Sequence, residues 1–344
     1  MQILENTPLA PFTTLGVGGP AKYFSIAQSA DDLTQLFAWA DSAGEKVFVL
    51  GRGSNILVSD AGFDGLVIKI EVGGVEFATD IDSVLVTAGA GEDWDELVAL
   101  CVDRDLAGFE CLSGIPGSVG GTPVQNVGAY GQEVSETIVS VRCFDRKTST
   151  IVELTNEDCG FEYRKSIFNT SEHDRYVVVS VCYRLKSDGE PKIAYKDIQQ
   201  KFPEGVPTLR ETRDTVIAIR REKSMVIDPA DPNSRSAGSF FKNPIVMTSV
   251  ADKIAEELGF DRIPQFAAGV DNVKIPAAWL IEQAGFKKGF ALGNAGISAS
   301  HSLAIINRGS ATSAEIIALK ELIVKTVLDK FGIPLLPEPI FVGF

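Results

Sequence analysis

The most restrictive feature of the sequence is the segment 113–131, SGIPGSVGGTPVQNVGAYG, which contains six glycines. Glycine has no Cβ, so such a segment can adopt backbone angles closed to other residues and bring its N–H groups close to a ligand, commonly a phosphate. A flexible linker is the alternative, but linkers are polar and rich in glycine and serine. Here Ile115, Val119, Val124 and Val127 alternate with the glycines. The segment is therefore predicted to be a packed loop that contacts a ligand.

The length and charge of the chain limit the classes of protein to which it can belong. At 344 residues it exceeds what one ordinary hydrophobic core supports, so two or three domains are expected. Its formal net charge of −14 argues against nucleic-acid binding, because phosphate contacts require a basic surface. No run approaches the roughly 20 apolar residues that span a bilayer, and the N-terminus lacks a signal-peptide pattern. We expect a cytoplasmic protein with neither membrane nor nucleic-acid partners.

The chain has five cysteines, an odd number without a C-x-x-C pair. They lie among apolar residues, which indicates buried, reduced thiols rather than a disulfide framework. No metal site is expected. The cysteines are Cys101, Cys111, Cys143, Cys159 and Cys182.

The first half of the chain contains short apolar runs that predict strands. A helix is predicted over 94–104, with Asp93 as its N-cap. Because the strands do not alternate regularly with helices, the pattern favours an α+β fold over a doubly wound sheet. The predicted strands are 47–50, 56–58, 66–70, 84–88, 138–144, 151–154 and 177–185.

The second half is richer in helices and follows a proline-rich stretch, 228–232, that marks a candidate domain boundary. Thr312 and Glu315 form a capping-box pattern before the last helix, and Gly332 follows its end. That helix is expected to carry an apolar face of Ile316, Leu319, Ile323 and Val327. The predicted helices are 214–221, 249–258, 277–284 and 314–330, and a last strand is predicted over 339–344.

Two common phosphate-binding motifs are excluded. A P-loop requires Lys and then Ser or Thr after its last glycine, whereas Gln132 and Glu133 follow Gly131. A dinucleotide fingerprint requires G-x-G-x-x-G at the start of a helix, whereas the turn at 51–55 lacks the third glycine and leads into a strand. Two separate glycine loops, 51–55 and 113–121, remain, and they are suited to hold one extended pyrophosphate from two sides.

The loops GRGSNILVSDAGFDG and GIPGSVGGTPVQNVGAYG resemble those of FAD-binding domains of the vanillyl-alcohol-oxidase (PCMH) type, which hold the FAD pyrophosphate. The motifs FEYRKSIF, AGSFFKNP, PAAWLIEQAGFKKG and LLPEPIFVG extend the resemblance, over 13–344, to the UDP-N-acetylenolpyruvoylglucosamine reductase family. The resemblance implies an α+β chain in which a C-terminal α+β substrate domain follows the FAD-binding domain. The implied parts are FAD-binding subdomains 1–70 and 71–222 and a substrate domain 223–330, with 331–344 packed near the first subdomain.

The resemblance further implies that NADPH reduces a noncovalently bound FAD, from which hydride passes to carbon 3 of UDP-N-acetylglucosamine enolpyruvate. The product is UDP-N-acetylmuramate, a peptidoglycan precursor. Covalent flavin attachment commonly uses His or Cys, and 113–131 contains neither. The implied FAD-binding residues are Gly51, Arg52, Gly53, Ser54, Asn55, Ser113, Gly114, Ile115, Pro116, Gly117, Gly120, Gly121, Gln125, Asn126, Gly128, Ala129 and Tyr130.

Three residues are implied in the chemistry by the same resemblance. Hydride addition builds negative charge that delocalises into the substrate carboxylate, and Arg164 offers a planar, bidentate clamp for that group. Ser239 is the implied donor of a proton to carbon 2, since a strongly basic enolate can deprotonate an ordinary hydroxyl. Glu338, held between Pro337 and Pro339, is implied beside the enolate as a protonated or proton-sharing partner.

Substrate contacts are implied for Tyr195 at the uridine and for Lys223 and Asn243 at the diphosphate and sugar. His301 is a further candidate, although its short polar run also suits a surface residue. The loop after Lys223, Lys-Ser-Met-Val-Ile-Asp-Pro, is two residues longer than the Lys-Leu-Pro-Asp-Pro common in the family. The pose of Lys223 is therefore left open.

Two other functions compete with this one. A flavin-dependent oxidase or dehydrogenase of small alcohols or hydroxy acids would share the FAD domain and differ in the C-terminal half. A nucleotide-sugar-binding protein without chemistry would not need Arg164, Ser239 and Glu338 together. The preference for NADPH over NADH is left open, and a monomer is expected.

Overall fold

The computed structural model describes residues 2–203 and 205–344, which form two compact units. Each unit is assembled from three stretches of chain. Unit 1 comprises the N-terminal segment up to Thr7, Pro20–Gly53 and Phe63–Val226. Unit 2 comprises Pro8–Gly19, Ser54–Gly62 and Ile227–Phe344. The functional division into 1–70, 71–222, 223–330 and 331–344 stays a prediction.

The strands and helices predicted from the sequence are present, with somewhat different ends. The strands are β1 (Leu4–Pro8), β2 (Pro20–Ala27), β3 (Val47–Leu50), β4 (Ile56–Val58), β5 (Phe63–Ile70), β6 (Val75–Asp80), β7 (Ser83–Gly89), β8 (Leu106–Ala107), β9 (Gly128–Ala129), β10 (Gln132–Glu133), β11 (Ile138–Asp145), β12 (Thr150–Thr155), β13 (Tyr176–Ser187), β14 (Ile245–Met247), β15 (Phe266–Ala267), β16 (Asn272–Lys274), β17 (Ala291–Leu292), β18 (Ala295–Ile297), β19 (Ile305–Asn307) and β20 (Ile340–Val342). The helices are α1 (Ala30–Ala43), α2 (Trp94–Val102), α3 (Lys196–Gln199), α4 (Leu209–Glu222), α5 (Thr248–Leu258), α6 (Ala277–Gln283) and α7 (Ser313–Phe331).

Unit 1 contains one parallel arrangement that the sequence analysis missed. In the sheet β1-β2-β5-β3, strand β5 pairs in parallel with both β2 and β3, and α1 connects β2 to β3. Ser29 caps α1 by accepting a hydrogen bond from the Asp32 N–H, and Gly44 ends it with φ +68°. Helix α1 was not predicted, but it forms a single strand–helix–strand unit beside an antiparallel sheet, so the expectation of no regular strand–helix alternation is confirmed.

The second sheet of unit 1 is antiparallel, in the order β12-β11-β13-β7-β6. The glycine segment lies against an aromatic cluster beside it. Trp94 Nε1 donates to the Leu112 carbonyl at 3.1 Å, and the hydroxyls of Thr122 and Tyr183 are 2.9 Å apart. The Phe109 ring meets those of Trp94 and Tyr183 at 4.9 Å between centroids. The prediction that the glycine segment is packed is confirmed, since Val119 is part of the hydrophobic core and Ile115 and Val124 pack against that core.

Unit 2 packs α5, α6 and α7 around small sheets. Strand β20 pairs in parallel with β4, β16 lies between β14 and β15, and β18 lies between β17 and β19. The predicted capping box of Thr312 and Glu315 is present, and Gly332 ends α7 with φ +67°. The expected apolar face of α7 is confirmed, since Ile316, Leu319, Ile323 and Val327 are all fully buried.

The five cysteines are free thiols, four of them buried and Cys182 half-buried. Burial raises the pKa of Cys101, Cys111 and Cys159 to about 12, so these thiols stay protonated at neutral pH. Among the described residues, no helix has both the length and the apolar character needed to cross a bilayer.

Candidate active site

The two glycine loops meet within unit 1. A Cβ placed on Gly51 would lie 2.8 Å from Oγ of Ser118, so the backbone of the first loop lies against the second. Arg52 pairs with Asp93 at 3.1 Å between Nη2 and Oδ2, and Asp93 forms a β-bridge with Ser118. Asp93 thus links the two loops, through an ion pair with Arg52 in the first and a backbone bridge to Ser118 in the second.

The second loop has a backbone suited to close ligand contact. Gly117 has φ +144°, which a residue with a side chain rarely adopts. A Cβ added to Gly120 would lie only 2.7 Å from Ala90 Cβ. For a Cβ added to Gly121, the nearest atom outside its chain neighbours would be Ser118 Oγ, at 3.8 Å. Gly120 is therefore required by packing inside the protein. Gly121 is exposed and leaves an open side where a ligand can approach the backbone, as the resemblance implies for the pyrophosphate of FAD.

Gly114 is held through both of its peptide groups. Its N–H donates to Oδ1 of Asp95 at 2.6 Å, and its carbonyl accepts from Nε of Arg220 at 3.1 Å. Arg213 donates two further hydrogen bonds to Asp95, at 2.6 and 3.0 Å. Burial by itself would raise the pKa of Asp95, but the bonds from Arg213 and Gly114 outweigh burial and the pKa lies below its ordinary value. Asp95 is therefore an anion that fixes the start of the glycine segment.

Arg220 is a buried cation at the same place. Only 8% of this residue is exposed, and Nη2 donates to the Met225 carbonyl at 2.8 Å. Burial lowers the pKa of its guanidinium without neutralising it. Its hydrogen-bond partners are carbonyls, and the nearby Asp95 is paired with Arg213, so positive charge remains beside the glycine segment and favours an anionic ligand there.

Arg164 lies against the glycine segment from another side. Its Nη2 donates to the Gly128 carbonyl at 2.6 Å and its Nη1 to the Asn126 carbonyl at 3.4 Å. The backbone of Arg164 has φ +58°, in the left-handed region that is uncommon for arginine. Asn169 Nδ2 donates to the Arg164 carbonyl at 3.2 Å and supports this turn. The implied carboxylate clamp is thus in direct contact with the implied cofactor segment.

Tyr130, Tyr195 and Lys223 also come together in unit 1. The tyrosine rings meet edge to face with centroids 5.5 Å apart, and Lys223 Nζ lies 5.9 Å from the Tyr130 centroid. Lys223 Nζ bonds Asp197 Oδ2 at 2.9 Å. Burial favours the neutral amine, but the bond to Asp197 outweighs it and raises the pKa of Lys223, which keeps the ammonium charged. The implied uridine and diphosphate contacts are therefore neighbours.

In unit 2, backbone pairing brings the segments that carry Ser239 and Glu338 together. The Glu338 N–H donates to the carbonyl of Phe240 at 2.9 Å, one residue after Ser239. Asn55 Nδ2 donates to the Glu338 carbonyl at 3.3 Å. Ser239 and Glu338 are both half-buried. Hydrogen bonds thus connect three segments that are distant in sequence, those of Asn55, Ser239 and Glu338.

The other two implied substrate residues lie in unit 2, each in a defined backbone setting. Asn243 Oδ1 accepts the Ala277 N–H at 2.9 Å and so satisfies a donor at the first turn of α6. His301 is half-buried on the connection from β18 to β19, where its carbonyl accepts the Ala304 N–H at 3.1 Å. A structural role is therefore visible for the Asn243 oxygen.

The remaining implied FAD residues differ in exposure. Ser113 and Asn126 are buried, with side chains bonded to the Glu110 carbonyl (2.7 Å) and to Glu133 Oε2 (2.7 Å), so they shape the loop. Gly53 is buried with φ +67°. The half-buried members are Ser54, Ile115, Pro116, Gln125 and Ala129.

Sequence reasoning missed Arg220, Asp95 and Glu110. Arg220 had a visible signal, because it lies on the same buried stripe of α4 as Thr212 and Val216. No pattern in the sequence marked Asp95 or Glu110, because acidic residues are common near the start of a helix.

Two parts of the chain match models of known protein families. Residues 21–155 match the model of an FAD binding domain, and residues 229–342 match the model of the UDP-N-acetylenolpyruvoylglucosamine reductase C-terminal domain. The UDP-N-acetylenolpyruvoylglucosamine reductase of Thermobifida fusca (strain YX) is 45% identical over 350 residues, which covers 98% of each chain. The protein of the same name from Streptomyces coelicolor is 42% identical and covers 100% of this chain and 91% of the relative.

A solved structure agrees with these matches over nearly the whole chain. The crystal structure of UDP-N-acetylenolpyruvylglucosamine reductase from Thermus caldophilus superposes with a TM-score of 0.67 at 25% identity. The superposition covers 99% of this chain and 98% of that one.

Proposed function

Because the chain belongs to the UDP-N-acetylenolpyruvoylglucosamine reductase family, we propose how its own residues carry out the reaction of that family. It is a flavin-dependent oxidoreductase that uses FAD and NADPH to reduce UDP-N-acetylglucosamine enolpyruvate to UDP-N-acetylmuramate for peptidoglycan synthesis. The 45% identity over almost the full length of the Thermobifida fusca protein carries this assignment. The expected α+β fold, with an FAD-binding domain of the vanillyl-alcohol-oxidase type and a C-terminal α+β domain, is confirmed.

The glycine loops around Gly51 and in 113–131 are proposed to hold FAD noncovalently. When bound there, FAD supplies the hydride transfer that links NADPH to the substrate. The open side of Gly121 and the φ of +144° at Gly117 support contact with a pyrophosphate. The buried charge of Arg220 beside Gly114 supports an anionic ligand.

Arg164 is proposed to bind the substrate carboxylate. Addition of hydride to carbon 3 places an electron pair at carbon 2, and the carboxylate shares that charge. A guanidinium stabilises it more strongly in the transition state than in the starting complex. The hydrogen bonds of Arg164 to Asn126 and Gly128 support this role, because they orient the guanidinium before substrate arrives.

Ser239 is proposed to donate its hydroxyl proton to carbon 2, which completes the reduction. The hydride carries two electrons to carbon 3, the proton enters at carbon 2, and the serine oxygen is afterwards reprotonated from solvent. Glu338 is proposed to stabilise the enolate as a protonated or proton-sharing group. The backbone bond from Glu338 to Phe240 supports a joint action of Ser239 and Glu338.

Tyr195 is proposed to contact the uridine, Lys223 the diphosphate and Asn243 the sugar, with His301 as a further contact. The contacts among Tyr130, Tyr195 and Lys223 support a shared site for the nucleotide. We also propose that the enzyme acts as a cytoplasmic monomer with no nucleic-acid or membrane partner. The five free thiols, four of them buried, agree with a reducing compartment.

Anaerobic stopped-flow absorbance tests the proposal. The purified protein should carry a flavin spectrum that NADPH bleaches and that UDP-N-acetylglucosamine enolpyruvate restores. An alcohol oxidase would instead be reduced by its alcohol and reoxidised only when oxygen is admitted, and a nucleotide-sugar-binding protein would show no flavin turnover. Either result would contradict the proposed function.

A further inference from the structure

We propose that Glu110 is a positioning residue that couples the FAD-holding segment 113–131 to the segment that carries Tyr195. This inference rests on the proposed function, since it takes 113–131 as the cofactor site and Tyr195 as a substrate contact. Glu110 itself touches neither ligand in this proposal. It acts through the backbone of the two segments.

Glu110 is a carboxylate in the interior of unit 1, with 1% of the residue exposed. Its Oε1 accepts two hydrogen bonds, from Gln132 Nε2 at 3.0 Å and from the Lys192 N–H at 2.9 Å. Its Oε2 accepts the Gly108 N–H at 2.8 Å. Three donors therefore converge on one side chain, and an acceptor-only group satisfies all of them.

The first link joins the two ends of the glycine segment. Glu110 lies just before that segment and Gln132 just after it. Gln132 is 3% exposed, and its Oε1 accepts the Cys111 N–H at 2.9 Å. Two buried hydrogen bonds thus join the residues that precede the segment to the residue that follows it. These buried hydrogen bonds, and not the loop itself, fix the distance between the two ends of the glycine segment.

The second link reaches the nucleotide-contacting segment. Lys192 precedes Tyr195 by three residues, and besides its N–H bond to Glu110 its carbonyl accepts from Cys111 Sγ at 3.2 Å. Farther along, the Tyr195 ring meets the Tyr130 ring of the glycine segment. The two segments are therefore connected by partly buried hydrogen bonds at Lys192 and by the contact between the rings of Tyr195 and Tyr130. Ordering of one segment by its ligand favours the ordered state of the other.

The link requires an acceptor. A methionine in place of Glu110 would have a similar length but would leave the Gly108, Gln132 and Lys192 donors without an acceptor. Both links would then be lost. The variant Glu110→Met is therefore the direct test, and Glu136→Met is its matched control. Glu136 pairs with the same Lys192 at 2.7 Å, but through the exposed side-chain Nζ rather than the backbone N–H.

For Glu110→Met we expect FAD to bind the apoprotein about tenfold more weakly, measured by quenching of flavin fluorescence. We also expect UDP to bind the FAD-saturated enzyme about tenfold more weakly by calorimetry. At saturating FAD and substrates, kcat and the KM for NADPH should stay within about twofold of native. Glu136→Met should match the native protein in all of these. Unchanged FAD and UDP affinities in a folded Glu110→Met protein would overturn the proposal.

A swapped variant separates the two links. In Glu110→Gln with Gln132→Glu, the amide at 110 can donate to the carboxylate at 132, which can also accept the Cys111 N–H, but the Lys192 N–H still faces an NH2 group. FAD affinity should therefore recover to within about threefold of native, while UDP affinity stays low. Recovery of both affinities, or of neither, would contradict the assignment.

Hydrogen exchange on the native protein covers the case in which Glu110→Met does not fold. FAD should slow exchange at the Lys192 and Gly108 amides as well as in 113–131, and UDP added to the FAD-bound enzyme should slow exchange in 113–131. Protection confined to the segment that each ligand contacts would overturn the coupling. A native protein that binds neither FAD nor UDP would instead refute the proposed function, which is a separate result.

Discussion

Nη2 of Arg164 donates a hydrogen bond to the backbone carbonyl of Gly128 at 2.6 Å. The implied carboxylate clamp is therefore oriented by the same segment that is proposed to hold FAD. The left-handed backbone of Arg164, with φ +58°, contributes to this geometry. The position of the guanidinium depends on the glycine segment as well as on its own loop.

Replacement of Arg164 by lysine should slow the reaction without loss of FAD. Lysine keeps the positive charge but lacks the planar fork that binds a carboxylate at two points. We expect kcat to fall about 100-fold or more, with the flavin spectrum and the rate of reduction by NADPH retained. The neighbouring, more exposed Lys165→Ala variant is the control and should keep native rates. A lysine variant with native kcat would contradict the proposed clamp.

Replacement of Ser239 by alanine should slow only one of the two half-reactions. Reduction by NADPH needs no proton from this serine and should proceed at the native rate. Reoxidation by the enolpyruvyl substrate should slow by about 10²- to 10⁴-fold, the usual effect of losing a positioned proton donor. Stopped-flow absorbance of the flavin resolves both steps, and the exposed Ser310→Ala serves as control. Equal slowing of both steps would indicate a structural defect rather than loss of a proton donor.

Adjacent glycines should respond differently to alanine. In Gly120→Ala the new methyl group would lie 2.7 Å from Ala90 Cβ and 3.1 Å from the Ala90 carbonyl oxygen, so the free energy of unfolding should fall by about 1–3 kcal/mol. In Gly121→Ala the methyl group would lie on an exposed residue at an ordinary contact distance, 3.8 Å, from Ser118 Oγ, so the free energy of unfolding should be nearly unchanged while FAD binds more weakly. Urea denaturation and flavin titration measure the two effects. A Gly121→Ala protein with native FAD affinity would remove this residue from the proposed cofactor site.

Asp95 should stabilise the fold only where it is ionised. Its pKa is lower in the folded protein than the ordinary value of about 3.9, so its contribution is complete above that value and is lost as pH falls through the folded pKa. Asp95→Asn should lower the free energy of unfolding by about 1–3 kcal/mol at pH 7, since it weakens the bonds from Arg213 and Gly114.

The difference between native protein and Asp95→Asn should shrink as the pH of urea denaturation is lowered below about 3.9. Asp103→Asn is the control, because its ion pair with Arg210 is exposed and contributes little. A difference that persists undiminished at low pH would show that the charge of Asp95 is not what stabilises Gly114.

The candidate site was predictable where its signals are local motifs. Arg164, Ser239 and the glycine segment belong to short runs of residues whose order in the chain carried the resemblance. The roles of Arg220 and Glu110 were not predictable in this way. Gly114 and Arg220 are 106 positions apart, and Glu110 and Lys192 are 82 apart. No local pattern encodes such contacts.

The sequence by itself determined the local elements, because caps and apolar periodicity act over a few neighbouring residues. Thr312, Glu315 and Gly332 set the ends of α7, and the glycines of 113–131 set the backbone angles open to that loop. Only the tertiary structure decided which loops meet and which buried charges hold them, as with Asp95 at Gly114 and Glu110 at Lys192. These contacts depend on the packing of segments far apart in the chain, where each buried polar group requires a partner that the fold must bring to it.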